Sequence, residues 1–212
     1  MIFSEAVRPF AEEPLTLQIL LDLFKEYKRP YDKINELVKK GELTMVKKGF
    51  YIPGPRLDIP KPESFLIANH LWGPSYVSLE SALSHWALIP ERVYEISSVT
   101  MKAAKKYQTL VGRFTYQYAP VPYYSFGIKT VPLTKKQFAL VASPEKALCD
   151  KIVMTSGIFL RSAVQVKAFL LDDLRMETEA LRGLNLEEMA TWINDAPKKS
   201  SLTMLIKTLQ AL

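Results

Sequence analysis

A chain of 212 residues, 48% hydrophobic and 24% charged, has the composition of a folded globular protein and is neither disordered nor fibrous in class. One cysteine, Cys149, excludes an internal disulfide framework and points to a reducing cytoplasm. With only two histidines beside it, too few ligands remain for an ordinary structural zinc site. The formal net charge of +6 favours an acidic partner, of which nucleic acid is the commonest.

The start "MIFSEAVRPFAEE" has no basic segment leading into an apolar one, and no run of about 18 apolar residues follows anywhere, so neither secretion nor membrane insertion is expected. "EPLTLQILLDLFKEY" reads as a core helix, with Pro14 in its first turn and Leu20, Phe24 and Tyr27 at helical spacing. Pro30 restarts the chain, and "YDKINELVKKG" places Tyr31, Ile34, Leu37 and Val38 on one face of a second helix, with Gly41 as a left-handed cap. "LTMVKKGFYIP" then reads as a hairpin turning at Gly49, with Lys47 and Lys48 at its tip. A helix followed at once by a basic-tipped hairpin is the winged-helix pattern.

Four prolines in "PGPRLDIPKPES" mark a linker at about residues 53–63, which divides the chain into a winged-helix domain, 1–55, and a second domain, 64–212. The second opens with a helix in "ESFLIANHLW". "RVYEISSVT" follows as a strand, "YQTLVGRFTYQYA" as two strands turning at Gly112, and "YSFGIKTVPL" and "QFALVA" as further strands. "SPEKALCDKIVMT" has Ser143 as N-cap, Pro144 at the first helical position and Glu145 in the first turn, and a helical tail runs from there to Leu212. The expected fold is therefore α+β: a winged helix, then a mixed domain with a small, mostly antiparallel sheet and a helical C-terminal tail.

Chemistry-bearing residues are few. In "PSYVSLESALSHW", Ser81 and His85 lie four apart on a helix N-capped by Ser78, but Glu80 points away and nothing orients the imidazole, so the reading is a capped packing helix. No nucleophile elbow, glycine-rich phosphate loop or paired-histidine motif is present, and Cys149 reads as core. No catalytic, cofactor or metal residue is assigned, and the protein reads as a non-enzyme. Cations are better placed. Residues 25–48 carry eight against four acids, and residues 101–151 carry nine against Glu145 and Asp150, a net of +7 for that block. Lysines at helix ends and wing tips meet phosphates, and Asn35 suits an adenine edge. The acidic segment "DDLRMETEALRGLNLEEM" is a candidate neutralising partner for the +7 block.

"KINELVKKGELTMVKKGFYIPG", "GPSYVSLESALSHWALIPERVYEISSVT" and "ASPEKALCDKIV" resemble, in the same order, the AbiEi-type antitoxins of type IV toxin-antitoxin systems in bacterial abortive infection. The resemblance covers about residues 15–155. It implies a winged helix-turn-helix that represses its own operon at inverted repeats, two protomers on the operator, and a C-terminal domain that counters a nucleotidyltransferase-like toxin without a stable complex. The DNA-binding residues it implies are Arg29, Lys33, Asn35, Lys39 and Lys40 on the recognition helix and Lys47 and Lys48 at the wing tip. Ser75, Tyr76, Ser78, Glu80 and Ser81 carry the family signature, for which a structural role is expected. One departure stands out: between "LLDLFKEYK" and "RPYDKI" there is no room for the usual middle helix. The competing reading is a protein-interaction module whose shortened winged helix no longer reads DNA.

Overall fold

The computed structural model describes residues 3–212. The chain begins with helix α1, Phe3–Val7, and strand β1, Leu15–Thr16. Helices α2, Leu17–Leu23, and α3, Pro30–Lys39, follow, then strands β2, Leu43–Lys47, and β3, Phe50–Pro53. Strand order β1-β3-β2 makes a small antiparallel sheet. Pro14 does not open α2. Leu15 and Thr16 pair with Tyr51 and Phe50 instead, and the Thr16 hydroxyl caps α2 by accepting from the Ile19 N–H. α1 precedes them, so α2 and α3 are the second and third helices of the segment, and no helix stands between α2 and α3, as the sequence leads one to expect.

On α3, Ile34 and Leu37 are buried as their spacing requires, whereas Tyr31 is 58% exposed and stands outside the apolar stripe. Gly41, at φ +72°, ends the helix. Its N–H donates to Val38 O and that of Glu42 to Leu37 O, a left-handed cap that satisfies the last carbonyls. The hairpin turns on Lys48 and Gly49, the latter at φ +82°, after a bulge between Met45 and Lys47.

Helix α4, Ser64–Leu71, strand β4, Ser75–Val77, and helix α5, Leu79–His85, open the larger part. Strands β5, Glu95–Thr100, β6, Lys105–Thr109, β7, Gly112–Tyr118, β8, Ile128–Pro132, and β9, Phe138–Ala142, complete a six-stranded sheet of order β6-β7-β5-β4-β9-β8. The sheet is mixed, with three antiparallel and two parallel pairs. β5 pairs with β7 and β4 with β9 in parallel, between antiparallel pairs β4–β5, β6–β7 and β8–β9. β4, three residues that read as the lead-in to a helix, inserts between β5 and β9 and makes one parallel pair; the other arises because β6 lies outside β7, which leaves β7 beside β5. Adjacent β4 residues face opposite sides of a sheet. The Ser75 hydroxyl donates to Ala68 O of α4, and that of Tyr76 to Asp150 of helix α6, Pro144–Met154, so α4 and α6 cover opposite faces. Helices α7, Ala163–Lys167, α8, Thr178–Arg182, α9, Leu186–Trp192, and α10, Lys199–Leu209, form the tail. The fold is thus α+β.

Two apolar clusters hold the chain. Phe3, Val7, Leu15, Leu20, Phe24, Ile34, Leu37, Leu43, Tyr51 and Leu57 form the smaller, and the larger fills the space around the six-stranded sheet. The hairpin belongs to both. Tyr51 faces the first, while Phe50 and Ile52, on the opposite face of β3, join Val46 in the second. The proline-rich stretch is likewise held at both ends: Leu57 is buried, and the buried Gln137 side chain accepts from Glu63 N–H at 2.7 Å and donates to Lys61 O at 3.1 Å.

Candidate nucleic-acid interface

The exposed face of α3 carries Asp32, Asn35 and Lys39 at spacings of three and four residues, opposite the buried Ile34 and Leu37, with Arg29 exposed just ahead of Pro30. Charge along the helix is partly self-compensated. Arg29 pairs with Asp32 at 3.7 Å, and Glu36 takes both Lys33, at 3.1 Å, and Lys40. Those two lysines, Lys40 first, hold the Glu36 carboxyl below the usual carboxylate range, and Glu36 in turn raises Lys40. Exposed pairs of this kind contribute little to stability. Lys39 has no carboxylate partner among the described residues.

At the hairpin, Lys48 is exposed on the turn, as expected of a tip residue. Lys47 is not at the tip. It is the last residue of β2, and its ammonium donates to Leu71 O and lies beside Trp72 and Tyr107 of the larger part. The bulge leaves only Lys48 and Gly49 between the paired residues Lys47 and Phe50. Arg29, Asn35, Lys39, Lys40 and Lys48 are thus at the surface, Lys33 is half-buried, and Lys47 belongs to the seam between the two clusters.

The signature residues are occupied internally. Asp150 Oδ2 accepts from the Ser78 hydroxyl at 2.7 Å and the Tyr76 hydroxyl at 3.0 Å. Oδ1 accepts from the Tyr123 hydroxyl at 2.9 Å and the Lys146 ammonium at 3.1 Å. All five side chains are sealed from solvent. Lys146 also donates to Tyr123 O at 2.8 Å. Burial lowers its proton affinity and Asp150 opposes that shift, while burial pushes the Tyr76 and Tyr123 phenols well above their ordinary range. Ser78 therefore sits at the α5 N-cap position without capping it, because its hydroxyl goes to Asp150.

The Ser81 hydroxyl donates to Glu95 O at 3.0 Å and accepts from Ser97 N–H at 2.9 Å, so it faces β5, and His85 packs between Phe65 and Trp86. Glu80 pairs with Lys151. Sequence reasoning missed Asp150 and Lys146 as the centre of this network. Their spacing of four on one helix was the available signal.

Cys149 lies in the wall of the same helix, and burial pushes its thiol up to about 12. The folded protein should resist a thiol-specific disulfide reagent at pH 8 and react within the dead time once unfolded in urea. Rapid labelling of the folded chain would contradict this placement.

The +7 block is not neutralised by the acidic tail segment. Among the described residues its ion pairs are Lys136 with Glu12, Lys146 with Asp150 and Lys151 with Glu80. No helix among the described residues is long and apolar enough to cross a membrane. Comparison with family models and with curated proteins found no match to this chain.

Proposed function

We propose that the protein is a cytoplasmic, non-enzymatic antitoxin of the AbiEi type, which represses its own operon by binding inverted repeats as a homodimer and counters a nucleotidyltransferase-like toxin. The observation that carries the reading is the order α1, β1, α2, α3, β2, β3, with β1 closing the hairpin's sheet. Helix, strand, two helices and a two-stranded wing is the element order of a winged helix. In this reading α3 is the recognition helix, with Asn35 and Lys39 outward and Lys48 on the wing. A second support is that two of the three stretches carrying the resemblance meet in the structure: β4 and α5 bond α6 through Asp150 and Lys151.

A reporter driven by the chain's own upstream region tests it in cells. The wild type should silence the reporter, and Lys39→Glu with Lys40→Glu should release it at unchanged protein level, since each reversed charge repels a phosphate. Full repression by the double variant would contradict the assignment of α3. The interaction-module reading draws on one feature, an apolar groove of about 450 Å³ between the β2–β3 hairpin and the β6–β7 turn, lined by Val38, Met45, Ile52 and the 87% exposed Leu110. Repression that is lost with Leu110→Ser but kept with the charge reversals would favour it.

A further inference from the structure

Three lysines from separate parts of the chain converge on one indole ring. Lys47 from β2, Lys102 from the turn after β5 and Lys105 at the start of β6 bring their ammonium groups to 5.9, 5.2 and 5.8 Å from the Trp72 ring centre. Lys47 and Lys105 also lie 5.8 and 5.9 Å from the Tyr107 ring. The ring is fixed, because the Trp72 indole N–H donates to Ala103 O at 3.1 Å and Tyr107 packs against it at 6.1 Å.

Carboxylates accompany several lysines elsewhere: Glu36 joins Lys33 to Lys40, Glu80 meets Lys151 and Glu12 meets Lys136. Here, among the described residues, none lies within 4.0 Å of any of the three ammonium groups. Backbone carbonyls of Leu71 and Gly73 accept from Lys47 and Lys102, and Lys105 has the two ring faces alone. Carbonyls and ring faces orient ammonium groups without cancelling their charge. Burial, and then the neighbouring Lys102, lower the proton affinity of Lys47, as expected of a cation crowded by another. A solvated cationic face would spread its lysines apart. This one gathers them where an anion would relieve their repulsion.

We propose that Lys47, Lys102 and Lys105, held on Trp72 and Tyr107, form a clamp for a nucleic-acid phosphodiester at the seam between the β2–β3 hairpin and the six-stranded sheet. The inference rests on the reading of the chain as a nucleic-acid binder, and extends it from the recognition helix to the larger part of the molecule. Lys48, next in the chain and exposed on the hairpin turn, carries the cationic path from the wing into the clamp. The backbone is held there without base readout, which fixes the register of α3 on the duplex.

The test uses the full chain, a 16-base-pair duplex of arbitrary sequence and inorganic phosphate as separate probes, with the Trp72 indole N–H followed by nuclear magnetic resonance. The duplex should shift and broaden that signal. The variant Lys102→Gln with Lys105→Gln, both exposed positions, should keep the circular dichroism of the wild type. It should also reduce the slope of log affinity against log salt by roughly 0.9, the value for the one phosphate contact the clamp supplies. Lys102→Arg with Lys105→Arg should restore the slope. An unchanged slope and affinity in the glutamine variant would overturn the clamp, as would saturation of the Trp72 shift by inorganic phosphate with no further effect of the duplex. A native operator bound no better than a scrambled one, with the slope still falling in the glutamine variant, would remove operator recognition while supporting the clamp.

Discussion

Replacing Asp150 with alanine should destabilise the protein by about 3–5 kcal/mol, the range found when one partner of a buried ion pair is removed. One carboxylate accepts from Tyr76, Ser78, Tyr123 and Lys146, all sealed from water, and alanine leaves an ammonium and three hydroxyls without that partner. Lys146 keeps Tyr123 O, which solvates the charge but does not balance it. Urea denaturation measures the loss. The double variant Asp150→Ala with Lys146→Met should cost less than the sum of the single changes, since each removes the charge that the other leaves unpaired. A loss below about 1 kcal/mol for Asp150→Ala would mean the network does not hold α6 to β4.

Gly54→Ala is expected to be nearly as severe, for a different reason. A Cβ there would stand 2.2 Å from Gly41 O and 2.7 Å from the carbonyl carbon of Glu42, both backbone atoms with no rotamer to escape through. Relief requires separating the chain after β3 from the end of α3, which breaks the bonds from Gly54 N–H to Glu42 O at 2.8 Å and from Arg56 N–H to Gly41 O at 3.0 Å. Overpacking of this kind costs about 3 kcal/mol. Because the clash falls where α3 meets the hairpin, the variant should also lose duplex binding more than its remaining folded fraction explains. A variant as stable as the wild type would show that this crossing has room to adjust.

Local chemistry was readable in the sequence, and partners distant in the chain were not. Ser143, Pro144 and Glu145 start α6 as written, with the Ser143 hydroxyl accepting from Lys146 N–H, because a cap needs only neighbours. Gly41, Gly49 and Gly112 mark turns for the same reason, each at positive φ. Ser78 shows the limit: its position is that of a cap, but a carboxylate 72 residues away takes its hydroxyl. β4 was missed because three residues are too short for a period, and its parallel partner Val141 lies far along the chain. Lys47 left the hairpin tip through a bulge, which depends on how β2 pairs with β3 and not on composition. The outward position of Asn35 and Lys39 on α3 follows from the apolar stripe of Ile34 and Leu37. The gathering of Lys47, Lys102 and Lys105 on Trp72 required the fold.

The most direct test of the nucleic-acid reading is a fluorescence titration of the purified protein against a duplex from its own upstream region, beside a scrambled duplex, at several salt concentrations. Tighter binding to the native duplex, weakening linearly in log affinity against log salt and abolished by Lys39→Glu with Lys40→Glu, is the expected result. Equal, weak binding to both duplexes that the charge reversals leave unchanged would contradict it.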